Sequence, residues 1–235
     1  MQELAQRPTA EIVGALPAQA AQAVAQAAGT RTGVAEPSQG SASRRCFVTC
    51  GVRLSPEKNP MLFAELLEGA GAALAARGLV PILFGAAGDL EYSTRVKQRV
   101  AASPAHACII EEHLNGEALA AIFSLTALNV HPCLYDAFGM SVVEAAAFGA
   151  PSLLHGEDTV GAAAFLGAGS GCFEASAFSK EELSEALIAC LDDEERLAAV
   201  AGAARTKALG WSEDAAGEKL LGLLRTLVGT FRKRS

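Results

Sequence analysis

An α/β fold, built on a parallel sheet with helices on both faces, is what this sequence predicts from three observations. From Cys46 onward, short apolar runs alternate with longer stretches rich in helix formers. The runs are apolar throughout rather than alternating with polar residues, as expected of strands covered on both sides. The chain has 235 residues, 51% of them hydrophobic, enough for one good core of ordinary domain size but not for a second complete one.

The elements follow in order. Residues 1–45 read as a peripheral helix and flexible linker: Leu16 to Ala28 is Ala/Gln-rich with few large side chains to bury. Gly29 to Arg45 is a Gly/Ser/Thr/Pro mixture. Residues 46–235 form the folded domain. Strands are expected at Cys46–Cys50, Val80–Phe84, Cys108–Ile110, Leu128–His131, Ser152–Leu154 and Gly171–Phe173. Helices are expected near Pro60–Arg77, Glu91–Ala102, Gly116–Ser124, Ser141–Phe148, Lys180–Leu191, Glu194–Ala208 and Ser212–Phe231. In such sheets ligands bind in the crevice beyond the carboxyl ends of the strands, which puts the loops after Cys50, Phe84, Ile110 and His131 on one rim.

Composition excludes several function classes. A formal charge of −7 does not suit a nucleic-acid surface, which needs a basic field to offset phosphate charge. No apolar run reaches the roughly 18 residues of a membrane span. The opening Met1-Gln2-Glu3-Leu4-Ala5-Gln6-Arg7 lacks the charged-then-apolar pattern of a secretory signal. Six cysteines with no C-x-x-C pair read as buried small hydrophobes rather than a disulfide frame or zinc site, so a reducing, cytoplasmic-type compartment is expected.

Two loops carry the chemistry. In Gly51-Val52-Arg53-Leu54-Ser55-Pro56-Glu57-Lys58-Asn59-Pro60, Asn59 is expected as an N-cap and Pro60 at the first helical position. Arg53 and Lys58 then sit where a planar guanidinium fork and a compact ammonium can converge on one anion. The same cations also suit an ordinary solvated loop. The second loop is His131-Pro132-Cys133-Leu134-Tyr135-Asp136-Ala137-Phe138-Gly139-Met140-Ser141. Free amides where a helix opens near Gly139 attract anions, and glycine allows close approach of a ligand to the backbone. Asp136 lies in the loop and Glu144 about one turn into the helix, so both carboxylates are expected on the same rim. Alternatively they complement the helix dipole. His131 reads as structural, and His106, His113 and His155 are isolated in sequence. No His/Asp/Glu group shows metal-ligand spacing, so no metal is expected.

These residues carry a family resemblance. The run Gly51 to Lys58 resembles the phosphate loop of family-4 retaining glycosyltransferases, and His131 to Pro151 is similar to their signature of one acid, seven residues and a second acid. The likeness extends to Phe84-Gly85-Ala86-Ala87-Gly88, to Leu114-Asn115-Gly116-Glu117-Ala118-Leu119 and to Trp211-Ser212 opening a last helix, over roughly residues 46–231. It is most similar to a plant and algal branch with a Tyr-Asp-Ala-aromatic-Gly-Met signature. Asp136 stands where the family usually has Glu, one methylene shorter.

The resemblance implies the Rossmann-like, nucleotide-sugar-binding half of a GT-B architecture. It implies hexosyl transfer from a nucleoside-diphosphate sugar, UDP or GDP, with retention and without metal or other cofactor. Arg53 and Lys58 would bind the diphosphate and stabilise charge on the leaving nucleotide, and Asp136 would contact the transferred sugar. Glu144 would hold the ribose hydroxyls, with Gly51, Gly85, Phe138, Gly139, Met140 and Ser141 around the phosphates and sugar. Glu112, His113 and Leu114 would lie beside the base. Only 45 residues precede the first strand, too few for a second Rossmann-like half, so a separate or missing acceptor-binding domain is expected as a partner. A non-catalytic module offering a partner surface is the alternative. A dinucleotide-dependent oxidoreductase is disfavoured, because Gly51-Val52-Arg53 lacks the spaced glycines that cradle a pyrophosphate.

Overall fold

The computed structural model describes residues 2–7, 14–22, 45–156, 158–167, 169–175 and 179–232. Six parallel strands form its centre: β1 Phe47–Gly51, β2 Val80–Phe84, β3 Cys108–Ile110, β4 Thr126–His131, β5 Ser152–Leu154 and β6 Phe173–Glu174. They lie side by side in the order β3-β2-β1-β4-β5-β6. The chain winds outward from β1 through β2 to β3, then returns to place β4 on the other side of β1. That reversal makes the β1/β4 junction the switch point where an open α/β sheet leaves a crevice. The fold is α/β and Rossmann-like, as expected.

The helices are α1 Gln2–Ala5, α2 Pro60–Ala76, α3 Leu90–Ala101, α4 Gly116–Ser124, α5 Met140–Ala147, α6 Gly161–Leu166, α7 Lys180–Asp192, α8 Glu194–Leu209 and α9 Glu213–Arg232. A further helical turn covers 18–22. Local chemistry fixes several starts. Asp89, Asn115, Ser179 and Asp193 each accept a backbone N–H from three residues on, the capping that leaves fewest orphan donors. Two cores flank the sheet. On one face α2, α3 and α7 bring Leu62, Phe63, Leu66, Val96 and Leu187 onto Val48, Cys50 and Leu83. On the other, α4, α5 and α6 bring Ile122, Phe123, Val142, Ala145 and Ala162 onto Phe47, Ile82 and Phe84.

A polar chain crosses the central strands inside this apolar shell. Thr49 Oγ1 donates to Asn129 Oδ1 at 3.1 Å, and Asn129 Nδ2 donates to Ser152 Oγ at 3.0 Å. All three residues are buried. It joins β1, β4 and β5 side chain to side chain.

Several expectations are corrected. β4 opens at Thr126 rather than Leu128, and the last strand is Phe173–Glu174 rather than Gly171–Phe173. Gly161–Leu166, where no helix was expected, is helix α6. Asn59 does precede α2, but in the left-handed conformation (φ 50°) and with no capping bond. Of the helix expected over Leu16–Ala28, residues 16–22 are described, with helix at 18–22, and residues 29–44 of the linker lie outside the described residues. Helix α9 exposes Leu220, Leu221, Leu223 and Leu224. Among the described residues no helix is long and apolar enough to cross a membrane.

Candidate functional site

Loop geometry at the switch point begins with the sheet itself. Past the end of β1 at Gly51, Val52 N donates to Phe84 O and Leu54 N to Ala86 O, so β1 and β2 stay zipped together into their loops. The packing is close enough that Gly85, at φ +146°, admits no side chain: a Cβ there would sit 1.9 Å from Val52 O. The loop then turns through a 3₁₀ segment, Pro56–Lys58, and the left-handed Asn59 aims it toward β4. Asn59 Nδ2 donates to Pro132 O at 3.4 Å, and Cys133 Sγ donates to Glu57 O at 3.6 Å. What sequence reads as a cap is a tie between two loops.

This tie brings Lys58 to Asp136: Lys58 Nζ donates to Asp136 Oδ2 at 2.7 Å, with only 26% and 15% of the two side chains exposed. His131 ends β4 directly beneath, 2% exposed, with Nε2 3.3 Å from the same carboxylate oxygen. The approach lacks hydrogen-bond alignment, so both ring nitrogens are buried without a partner. Proximity to His131 and then to the Lys58 ammonium hold the Asp136 carboxyl well below the usual carboxylate range, against the opposing effect of burial. Of the two contacts, the Lys58 bond has the sounder geometry.

Asp136 is held from behind as well. Its N–H donates to Thr159 O, Gly161 N donates back to Asp136 O, and Ala162 N donates to Phe138 O, so the turn before α6 clamps the loop. Asp136 Oδ1 accepts Phe138 N at 3.4 Å, closing a local turn that leads to Gly139. Gly139, at φ +86°, opens α5 with no side-chain cap. The first amides of α5, at Met140 and Ser141, therefore have no side-chain cap, and such a helix start attracts anions.

The remaining expected site residues separate into three places. Arg53 stays on the β1 loop with 63% of its side chain exposed, 3.9 Å from Glu57, whose Oε1 already accepts Ser55 Oγ. Glu112, His113 and Leu114 join Phe84, Gly85 and Leu119 around a cavity of about 290 Å³ beyond β2 and β3. Glu144 lines a second cavity, of about 410 Å³, with Met140, Val143, Glu3 and Trp211. Among the described residues it has no hydrogen bond or ion pair, and burial pushes its carboxyl above the usual range.

Sequence reasoning missed a cluster: donor atoms of His131, Cys133 and Asp136 all lie within 4.8 Å of one another. Their i, i+2, i+5 spacing was the available signal. Two features count against a cation there. Lys58 already holds the Asp136 oxygen, and burial pushes the Cys133 thiol up to about 11, away from the thiolate a metal needs.

Comparison with known proteins agrees with this architecture. The model of the family "Glycosyl transferases group 1" matches residues 36–207. HepE of Anabaena, solved with UDP and glucose, superposes with a TM-score of 0.65 at 19% identity, over 79% of this chain and 49% of its own. A Rickettsia africae glycosyltransferase superposes at 0.65 with 14% identity, over 93% of this chain and 55% of its own. The C-terminal domain of the group 1 glycosyl transferase LpcC of Francisella tularensis gives 0.60 at 14% identity, over 73% of this chain and 92% of that domain. The chain thus spans about half the length of the first two. No curated protein matches it. At these identities the likeness to solved structures speaks for the fold, and the family match for membership: the chain belongs to the group 1 glycosyl transferases.

Proposed function

We propose that this domain binds a nucleoside-diphosphate sugar at the β1/β4 switch point and serves hexosyl transfer from it with retention of configuration. The observation that carries this reading is the Lys58–Asp136 contact at 2.7 Å beside the uncapped start of α5. A half-buried ammonium and free helix amides offer fixed positive charge to a diphosphate, and Asp136 offers an acceptor to sugar hydroxyls. When the bond between the anomeric carbon and the diphosphate oxygen breaks, negative charge builds on the nucleotide. Prepositioned donors stabilise that charge most where water is scarce. The exposed Arg53 swings in only when ligand is present.

The cavity of Glu112, His113 and Leu114 receives the base, and Glu144 binds ribose hydroxyls that replace its missing partners. HepE was solved with UDP-glucose as well as with UDP and glucose, which favours a uridine nucleotide. No metal or other cofactor takes part, because Lys58 supplies the countercharge. The acceptor is held by a separate domain, the branch is the plant and algal one, and the compartment is reducing.

Calorimetric titration with UDP, GDP and their glucose conjugates tests the reading directly. UDP-sugar binding in the micromolar to millimolar range is expected. A folded sample showing no heat at millimolar ligand ends the proposal.

A further inference from the structure

At the opposite end of the sheet, where the strands begin, Arg45 and Arg205 have no acidic counterpart in contact among the described residues. Arg45, just before β1, donates from Nη1 to Thr126 O and from Nη2 to Phe148 O. Arg205 on α8 donates from Nε to Ala147 O and from Nη2 to Ala5 O. Both converge on Gly149: a Cβ built there would lie 2.9 Å from Arg45 Nη2 and 3.8 Å from Arg205 Cδ. Together with Arg7 and Ser124 they line a polar cavity of about 150 Å³.

Charge is the unusual part. In a chain of net charge −7, no described carboxylate lies in ion-pair range of Arg45 or Arg205. Arg7 has only a 3.4 Å contact with Glu117. Burial and then the Arg205 charge lower the Arg45 guanidinium below its usual range, and among the described residues only backbone carbonyls offset the two cations. Among the described residues, carbonyls use two N–H groups of each guanidinium. Five are available per arginine, which leaves three on each for another acceptor.

We propose that Arg45, Arg205 and Arg7 form a second binding site, for one tetrahedral oxyanion such as phosphate or the phosphate head of a phosphomonoester, at the rim opposite the donor crevice. Planar guanidinium forks match such oxyanions bidentately. The cavity has room for roughly five waters at about 30 Å³ each, enough for one phosphate group and too little for a nucleoside. Gly149 keeps the space clear, since any side chain would press Arg45 off the Phe148 carbonyl. The ligand bridges the strand beginnings, α1 and α8, and so steadies the amino-end rim without touching Lys58 or Asp136.

Thermal unfolding with inorganic phosphate against chloride at equal ionic strength tests the site. At 10 mM phosphate the intact chain is expected to melt about 2–4 °C higher, since a ligand bound only by the native state raises its stability. The rise should persist in Lys58→Ala, which leaves the amino-end rim intact, and vanish in Arg205→Gln, whose side chain is exposed enough to replace safely. Should Arg205→Gln lose its circular-dichroism signature, Arg45→Lys takes its place and is expected to reduce the rise at least by half. A rise of full size in the folded arginine variant, its disappearance in Lys58→Ala, or none in the intact chain overturns the proposal. UDP affinity of Arg205→Gln should equal that of the parent, so this test and that of the donor crevice fail separately.

Discussion

Asp136 and Glu144 are two carboxylates with seven residues between them, and their environments drive them in opposite directions. Asp136 meets an ammonium at 2.7 Å and is held ionised far below its ordinary range. Glu144 has no described partner, and burial raises it. Nothing in the residue types explains the contrast. Its source is the loop between them: residues 136–139 are not helical, so the eight-residue step rotates Glu144 onto the α5 face that looks toward Glu3 and Trp211. One acid is satisfied by the fold, and the other has no partner among the described residues.

The largest effect that breaks this contrast should come from Asp136→Ala. It strands the half-buried Lys58 ammonium and should cost about 2–3 kcal/mol at neutral pH in denaturant unfolding. Because the folded carboxyl is depressed, its contribution is present above its unfolded value near 3.9 and is lost as pH falls. The gap between parent and variant should therefore narrow below about pH 4. A gap that stays constant to pH 2 means the ion pair contributes nothing.

Next comes Lys58→Ala, read by binding. UDP affinity should fall at least tenfold, about 1.4 kcal/mol or more, while uridine affinity changes little. Equal losses for both ligands contradict a role at the diphosphate. A smaller effect is expected from Glu144→Gln, which removes an unpaired charge from a partly buried place and should stabilise by about 1 kcal/mol at pH 7. Here the folded carboxyl is raised, so the parent gains stability as pH falls through that raised value and the advantage of Gln disappears toward pH 4. Uridine binding by the same variant should weaken, whereas 2′,3′-dideoxyuridine binding should not. Arg53→Ala should be the mildest in stability, within about 0.5 kcal/mol, since an exposed pair at 3.9 Å contributes little. Its UDP affinity should nevertheless drop and lose part of its salt dependence.

Much of the frame was legible before any coordinates. Val80–Phe84 and Cys108–Ile110 are uniformly apolar because helices cover both faces, and the sequence carries that directly. Lys58 and Asp136 were placed on one rim for a sound reason: loops leaving the carboxyl ends of parallel strands share one edge of the sheet. What escaped depended on backbone angles and on contacts across the fold. Asn59 has the composition of a cap yet takes a left-handed turn, and its amide reaches Pro132 instead. Gly161 to Leu166 is absent from the expected helices because its small residues carry no clear periodicity, but α6 forms where Asp136 and Phe138 supply the bonds that start it. His131 looked structural, and its position under Asp136 follows only from where β4 stops relative to the loop.

The Thr49–Asn129–Ser152 chain has a consequence for fidelity of assembly. Parallel strands of plain aliphatic residues tolerate sliding by one position, and such a slip turns every side chain to the wrong face. Three polar groups that find partners in only one alignment penalise the slipped pairing, since each would be buried unsatisfied. Alignment of β1 against β4 sets where their loops emerge. A hydroxyl and an amide deep in the sheet thus act as an indexing pin for a lysine and an aspartate at its edge.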